Sequence, residues 1–352
     1  MQISEVFYLQ NQSIMIDAKS QAIKSYSERK LLAEKIADLY DQTETLWEYA
    51  AKIRGCGDTI IVRTYEGAIT EIAHALFCRC RLCPMCAWRR SLKAYGQLSD
   101  VMTYLDKQRQ DAGKQPWSYI LITLTAINCQ PVDLPETIDH LLDSFARLRR
   151  SKDWRAAIHG CHRSLEVTYN PIRGDFHPHL HLLCAVQPSY FASKHYISQA
   201  HLAQLWQTAM QVAYTPVVDI RRCQDGGGNI AEVTKYVTRH DKWLTDDMSD
   251  WLLTALHVAL HGRKLFAHYG IIRDGFRALR LSDEDGDLLD VGESDSKIAR
   301  EMRADLRYTL EAYTYIPRTG YLAIAPEKLT TTQYGYWSAL CKDEHCDTNP
   351  DD

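Results

Sequence analysis

The sequence predicts an α+β fold in which helices flank a central antiparallel sheet and a small zinc ribbon precedes it. A buried strand is predicted at residues 117–126, where β-branched and aromatic residues dominate. A β-hairpin follows at residues 163–186, and segments with helical spacing lie on either side of these strands. Five cysteines between residues 56 and 86 mark the ribbon. A strand, a hairpin and separate helices in this order are typical of an α+β protein.

Composition sets limits on the class of protein. The chain has 352 residues and 45% apolar content, enough for one large domain or two modest ones. A net charge of -4 argues against a wholly basic DNA wrapper, so any nucleic-acid surface must be local. One basic run, residues 79–93, contains Arg89 and Arg90, which we predict to contact DNA. The longest apolar run, residues 119–127, is far shorter than the ~20 residues that span a bilayer. We therefore expect a cytoplasmic protein without a membrane partner.

The two ends of the chain differ in character. Residues 1–54 form a predicted N-terminal helical segment, because residues 17–53 lack Gly and Pro and carry apolar residues at helical spacing. Their spacing breaks a strict heptad, which favours ordinary packing over a dimerisation arm and leaves a homodimer open. Residues 282–352 are predicted to be an acidic linker and a tail. The ribbon then occupies residues 55–95 and the main domain residues 96–281.

The cysteine cluster predicts a structural zinc site. Cys83 and Cys86 form a CPxC knuckle, whose tight turn directs two thiolates at one ion. Tetrahedral zinc needs two more ligands, and we expect these to be Cys78 and the more distant Cys56. Cys80 and His74 are competitors that spacing alone does not exclude. Because a small ribbon has little core of its own, the ion would contribute folding free energy directly.

The histidine hairpin predicts a second, open metal site. His177, His179 and His181 occupy alternate positions, so a strand projects all three imidazoles from one face. If the turn pairs Tyr169 with Phe176, Glu166 lies opposite His179 and completes a mixed nitrogen and oxygen site. Such a site leaves coordination positions for a phosphate oxygen and suits Mg²⁺ or Mn²⁺ acting as a Lewis acid. Either His177 or Glu166 is available as the third ligand.

A helix predicted near residues 229–243 carries the candidate nucleophile. Ile230, Val233 and Val237 make an apolar stripe, and helical spacing places Glu232 and Tyr236 side by side next to it. Tyr236 follows the histidine hairpin, with Lys235 and Arg239 nearby to hold a phosphate. This set predicts an activated tyrosine hydroxyl.

Three motifs in order resemble those of the single-tyrosine plasmid rolling-circle initiators in the HUH endonuclease superfamily. They are LITLT at 121–125, HPHLH at 177–181 and EVTKY at 232–236. Further similarity lies in the CxxxxCPxC pattern, in RSLEVTYN and in the aromatic run from Tyr190 to Trp206. The resemblance covers roughly residues 56–281. The extra Cys80 within the zinc motif departs from the family pattern.

The resemblance implies an HUH-type sheet and a specific mechanism. His179 and His181 would bind the divalent cation, and Tyr236 would cut one strand at the plasmid's double-strand origin through a 5′-phosphotyrosine. Glu232 would activate water at termination, because it occupies the turn where two-tyrosine relatives carry their second tyrosine. The partners implied are origin DNA, as single strand or extruded hairpin, a host helicase and the replication machinery. A phosphotyrosine conserves bond energy, which agrees with the lack of a GxxxxGK[ST] phosphate loop.

Two rival hypotheses predict different functions. An HUH transposase or relaxase would share this chemistry but act on transposon ends or a transfer origin. A non-catalytic zinc-dependent DNA-binding repressor would use the histidines as a second structural site. The repressor would keep its function in a Tyr236→Phe variant, whereas a nicking enzyme would lose covalent capture of DNA.

Overall fold

The chain folds into two compact units of α+β structure. The structure is a computed structural model that describes residues 23–65, 70–223, 228–234, 250–282, 288, 303 and 305–348. One unit consists of Met1–Lys93 with Asp287–Asp352, and the other of Ala94–Gly286. These divisions lie close to the boundaries expected near residues 95 and 281. The helical segment, the ribbon and the tail, however, belong to one unit instead of forming three separate pieces.

Nine strands and a set of helices are assigned in the described ranges. The strands are β1 Thr59–Tyr65, β2 Thr70–Ala75, β3 Ser118–Thr125, β4 Gly160–Asn170, β5 Asp175–Val186, β6 Val218–Arg222, β7 Phe266–Tyr269, β8 Tyr308–Ile316 and β9 Gly320–Ile324. The helices are 23–41, Glu48–Arg54, Pro84–Asp111, Leu134–Leu148, Lys152–Ala157, Gln199–Met210, Gly228–Thr234, Asp250–Leu260, Gly270–Ala278 and Thr331–Cys341. Short 3₁₀ turns lie at Pro131–Asp133, Tyr190–Ala192 and Pro326–Lys328.

The first unit is built on a four-stranded antiparallel sheet in the order β2-β1-β8-β9. Its core includes Ile61 and Tyr65 of β1, Tyr308 and Leu310 of β8, and Trp337. The ribbon strands therefore share a core with a segment more than 240 residues away in the chain. The expectation that residues 282–352 form only a linker and tail is wrong, because β8, β9 and Thr331–Cys341 lie there. Alternation of buried and exposed residues at the start of β8 is the local cause of its strand structure.

The second unit is built on a five-stranded antiparallel sheet in the order β6-β3-β5-β4-β7. The strand predicted at residues 117–126 is β3, and it pairs directly with the histidine strand β5. Tyr169 lies opposite Phe176 and Glu166 opposite His179 in the β4–β5 hairpin. The predicted neighbours and the predicted hairpin register are both confirmed.

The two faces of this sheet pack against different helices. On one face, Leu121 and Leu183 join a buried cluster with Leu98, Val233 and Phe276, which come from three helices. On the other face, Leu180 and its neighbours are buried beneath the helix Leu134–Leu148 and the helices packed on it. The histidine side chains point to the first face, beyond the end of its apolar cluster. Burial on both faces holds the hairpin rigid at this point.

Within the described ranges, every helix falls short of the length and apolar character needed to cross a membrane.

Candidate functional site

Three side chains converge on the surface of the second unit's sheet. Glu166, His179 and His181 each offer one ligand atom, and these atoms lie within 4.8 Å of one another. The Glu166 Oε2 atom lies 2.8 Å from Nε2 of His181 and 3.4 Å from Nε2 of His179. The convergence follows from strand geometry, because alternate residues of β5 share a face and β4 places Glu166 directly opposite His179.

Neighbouring groups orient both imidazoles. Nδ1 of His179 lies 3.1 Å from the main-chain oxygen of His177, and that oxygen only accepts hydrogen bonds. In the neutral, metal-binding form Nδ1 of His179 would donate this hydrogen bond, which would leave Nε2 free to bind a cation. Nδ1 of His181 lies 3.2 Å from Oγ1 of Thr123, the residue opposite it on β3. Such outer contacts are the usual support of metal-binding histidines.

The electrostatics of the cluster suit a cation. Burial acts to raise the pKa of Glu166, but hydrogen bonds with His179 and His181 outweigh it and hold that pKa well below its ordinary value. Glu166 is thus a carboxylate whose oxygen faces two imidazole nitrogens. Two nitrogens and one oxygen can hold a divalent metal ion and leave positions open for further ligands.

His177 lies beside this cluster and outside it. Its ring stacks on the ring of His179, with centroids 5.1 Å apart. Burial lowers the pKa of His177, and the charge of His179 acts in the same direction. Of the two alternatives for the third ligand, the structure brings Glu166 to His179 and His181 and leaves His177 supporting them through its ring and carbonyl.

Thr123 was not singled out from the sequence, although a signal for it exists. Within LITLT, Thr123 and Thr125 alternate with Ile122 and Leu124, so they share one face of a strand that is otherwise apolar. Thr125 lies opposite His179, as Thr123 lies opposite His181. Two threonines at period two, beside a strand with histidines at period two, indicate polar partners for those histidines.

The helix of the predicted nucleophile packs against this sheet. Its described part, Gly228–Thr234, contacts β4 and β5, and Val233 is fully buried in the adjoining core. Glu232 belongs to this part of the helix. Tyr236, Lys235 and Arg239 lie outside the described residues. The helix follows β6 and lies on the face from which the histidines project.

The first unit contains the predicted cysteine site. Cys56, Cys78, Cys83 and Cys86 bring their sulfur atoms within 4.8 Å of one another. Cys86 Sγ lies 3.5 Å from Cys56 Sγ and 3.7 Å from Cys78 Sγ. Main-chain N–H groups of Cys78 and Arg79 donate to the sulfurs of Cys56 and Cys86, respectively. Four sulfurs at these separations can hold a single metal ion.

The close contacts among these four sulfurs shift the pKa values of their thiols. Contact with Cys56 is the largest of several influences that raise the pKa of Cys78. Burial acts to raise the pKa of Cys83, but contacts with the other three cysteines outweigh it and lower that pKa. A bound cation would allow all four sulfurs to be thiolates together.

The two competitors for the cysteine site lie elsewhere. Cys80 is buried outside the four-sulfur cluster, and its thiol is 3.8 Å from the main-chain oxygen of Cys78. His74 stacks on the ring of Tyr336 at a centroid distance of 3.9 Å. The structure therefore brings together the four cysteines expected from the sequence and leaves both competitors aside.

Lys30 supports the cysteine site and was missed by the sequence analysis. Its side chain is fully buried and donates to the main-chain oxygens of Arg54 and Cys56, the latter at 3.2 Å. An ion pair with Asp58 at 2.5 Å balances its charge. Lys30 thereby fixes the loop that carries the most distant cysteine. Lys30 lies in a segment with ordinary helical spacing, so the local sequence does not indicate that its side chain is buried.

The expectation that Arg89 and Arg90 contact DNA requires correction. Both side chains are buried, at 0% and 1% exposure. Arg89 donates to the main-chain oxygen of Leu288 and to the Tyr26 hydroxyl, and Arg90 donates to the main-chain oxygens of Arg79 and Cys80. The guanidinium groups therefore hold the chain together around the cysteine site, and neither faces solvent.

Comparison with known proteins supplies the family. Residues 69–316 match the family model described as "Replication protein". A "Protein rep" of Streptococcus pneumoniae serotype 2 is 33% identical over 288 residues, which cover 79% of this chain and 87% of the relative. A "Protein rep" of a Bacillus species is 32% identical over 295 residues, covering 76% and 92%. No solved structure matches the chain.

The match spans most of the chain, including the cluster of Glu166, His179 and His181, the helix of Glu232 and the strand β8. It extends beyond the range of the sequence resemblance, which ended near residue 281. The family indicated by the three sequence motifs is thus confirmed: this chain belongs to the replication protein (Rep) family.

Proposed function

We propose that this protein initiates plasmid rolling-circle replication by nicking one strand of origin DNA at the Glu166, His179 and His181 site. The observation that carries the proposal is the convergence of these three ligand atoms within 4.8 Å in a member of the replication protein family. The origin would be presented as single strand or as an extruded hairpin. Unwinding would come from a separate helicase of the host replication machinery.

The residues present fit a divalent cation. Glu166 would supply an oxygen, and His179 and His181 would supply their Nε2 atoms, which already face the carboxylate. When bound, Mg²⁺ or Mn²⁺ would supply Lewis-acid polarisation of the scissile phosphate. Thr123 and the His177 carbonyl would keep the imidazoles in the orientation that binding requires. The four cysteines of the first unit would hold a structural Zn²⁺.

The covalent step would belong to Tyr236. Its hydroxyl oxygen would bond to phosphorus and lose its proton while the bond from phosphorus to the 3′ oxygen breaks. The products would be a 5′-phosphotyrosine and a free 3′-hydroxyl that primes synthesis. Lys235 and Arg239 would pair with phosphate oxygens. Glu232 would take the proton of the water that later hydrolyses the tyrosine ester.

The test is covalent capture of DNA. Wild-type protein and a Tyr236→Phe variant are incubated with end-labelled single-stranded origin DNA and Mn²⁺ and then separated on denaturing gels. A Tyr334→Phe variant is the matched control, because Tyr334 is an exposed tyrosine of the first unit. We expect a protein-DNA band from the wild type and from Tyr334→Phe, and none from Tyr236→Phe or after chelation.

Other outcomes lead to different functions. If neither the wild type nor Tyr236→Phe forms an adduct while both bind the origin, the nicking function is refuted and a DNA-binding repressor takes its place. If the wild type prefers transposon ends or a transfer origin over its own replicon's origin, a transposase or relaxase activity replaces initiation.

A further inference from the structure

A pair of histidines, one fully buried and one half-buried, lies on the same face of the sheet as the cluster of Glu166, His179 and His181. His162 of β4 and His268 of β7 are directly opposite each other, with their Nδ1 atoms 3.2 Å apart. His162 has no exposed surface, and the ring of His268 stacks on Phe276 at a centroid distance of 3.6 Å. The proposed mechanism uses neither side chain. A fully buried polar ring such as that of His162 costs stability unless its nitrogen atoms form hydrogen bonds.

The contact between the two Nδ1 atoms restricts their protonation. One ring must carry a proton on Nδ1 and the other must present a lone pair, because a hydrogen bond needs one donor and one acceptor. Burial, the largest influence, lowers the pKa of His162, and the charge of His268 lowers it further. Burial also lowers the pKa of His268, to about 4, with Arg163 and Lys264 acting in the same direction. Both rings are therefore neutral near pH 7.

The surroundings of the His162 Nε2 atom determine which ring donates the hydrogen bond between the two Nδ1 atoms. Its Nε2 is buried and has no hydrogen-bond partner within the described part of the chain. The main chain of Val233 opposes burial and raises the pKa of His162. Only a carbonyl that faces the ring has this effect, because a main-chain N–H would favour the neutral form. The His162 ring therefore lies against the main chain of the helix Gly228–Thr234, which packs on β4.

Val233 belongs to the helix that leads into the proposed nucleophile. That helix packs on β4 and β5, and the Val233 side chain is buried in the same cluster as Leu183 and Phe276. Apolar packing holds the helix against the sheet but gives little control over sliding or rotation. A directional polar contact at Val233, three residues before Tyr236, would restrict both motions.

We propose that His162 is a positioning residue that holds this helix, by a hydrogen bond, against the sheet of the candidate metal site. In this arrangement, His268 donates a hydrogen bond from its Nδ1 to Nδ1 of His162, and His162 donates one from its Nε2 to the carbonyl of Val233. Glu166 lies four residues along the same strand. The hydrogen bond from His162 would therefore fix the position of the helix relative to the proposed cation ligands. The expected effect on DNA cleavage rests on the proposed function, whereas the hydrogen-bond pattern of the two histidines rests on the described residues alone.

The protonation pattern gives the first test, which needs neither DNA nor metal. Protein labelled with ¹⁵N-histidine is examined at pH 7.5 by long-range nitrogen-proton correlation, and signals are assigned with His162→Gln and His268→Gln variants. We expect His162 to be protonated on Nε2 and His268 on Nδ1. The opposite pattern, or a doubly protonated His162, would overturn the proposal.

Two substitutions at residue 162 give the second test. Glutamine can place its amide N–H near the position of imidazole Nε2, whereas asparagine reaches only the position of Nδ1. The rate of adduct formation is measured in single turnover at saturating Mn²⁺, with His195→Gln as an exposed control. We expect His162→Gln and His195→Gln to stay close to wild type. His162→Asn should be slower by about 10- to 100-fold, the effect of a misplaced attacking group.

Binding measurements separate positioning from a general structural role. For His162→Asn, the Mn²⁺ affinity and the DNA concentration at half-maximal rate should match wild type, because the ligand residues are unchanged. If His162→Gln and His162→Asn lose rate and thermal stability equally, the residue is merely structural and the proposal fails. If wild type forms no adduct, the proposed nicking function fails, and the nitrogen-proton spectra still decide the hydrogen-bond pattern.

Discussion

Glu166 on β4 lies directly opposite His179 on β5, and its Oε2 atom is 3.4 Å from the Nε2 atom of that imidazole. The same oxygen is 2.8 Å from Nε2 of His181, one alternate position further along β5. Side chains on one sheet face therefore produce the cluster without any contribution from a loop. Sites built on strands are held more tightly than sites built on loops. We therefore expect metal affinity at this cluster to depend on the residues that support its side chains.

Loss of the Thr123 hydroxyl should weaken metal binding without removing a ligand. A Thr123→Val variant keeps the shape of the side chain but cannot bond to Nδ1 of His181. We expect its Mn²⁺ affinity, measured by titration calorimetry, to fall by about 10-fold, and that of His181→Ala to fall further. Thr137→Val removes the hydroxyl of a half-buried threonine on the helix Leu134–Leu148, outside the cluster, and should bind as wild type. Equal affinities in Thr123→Val and wild type would contradict this prediction.

The cysteine cluster should distinguish Cys83 from Cys80. Cys83→Ser removes one sulfur of the four-sulfur group, whereas Cys80→Ser changes a neighbouring thiol outside it. We expect metal analysis of purified protein to find about one zinc per chain in the wild type and in Cys80→Ser, and much less in Cys83→Ser. Cys83→Ser should also have a clearly lower melting temperature, because binding the ion contributes to folding. Equal zinc loss in both variants would show that Cys80 is a ligand.

Gly270 should be far less tolerant of alanine than Gly113. Both residues have positive φ angles, +57° and +68°. A Cβ atom at Gly270 would collide with the His159 carbonyl oxygen and lie 2.9 Å from the Gly160 Cα, whereas at Gly113 it would meet nothing within 4 Å.

We expect Gly113→Ala to lower the unfolding free energy by about 1 kcal/mol, the cost of the left-handed backbone alone. Gly270→Ala should cost about 3 kcal/mol or more, because the pairing of β4 with β7 must also shift. Urea unfolding measures both values. Similar losses in the two variants would mean that the close approach at Gly270 relaxes without cost.

Acid should destabilise the second unit through His268. Burial is the main cause that lowers the pKa of His268 from 6.5 to about 4. The folded state resists protonation of His268. Its contribution to the free energy of unfolding is therefore complete above pH 6.5 and is lost as the pH falls towards 4. The loss should be on the order of 3 kcal/mol for a shift of this size. A His268→Phe variant should show a flatter dependence of unfolding free energy on pH, and His195→Gln should keep the wild-type slope.

Much of the candidate site follows from local sequence patterns. A strand has a period of two residues, so HPHLH projects its histidines from one face wherever that strand lies. The turn at residues 170–175 sets the hairpin register that brings Glu166 to His179, and Cys83 and Cys86 share a single turn. These features depend on residues close together in the chain, where strand period, turn geometry and hairpin pairing leave few alternatives.

Contacts between distant residues were decided only by the tertiary structure. The ribbon gains its core from β8, and Arg89 is buried against Leu288, about 200 positions away. His162 and His268 give no local signal, since each is a single histidine in its strand. Local patterns specify which face of an element is apolar, but the partner that covers this face depends on the packing of the whole unit. The sequence by itself thus determined the residues of the candidate metal site and their register, and the long-range packing decided which polar residues are buried around them.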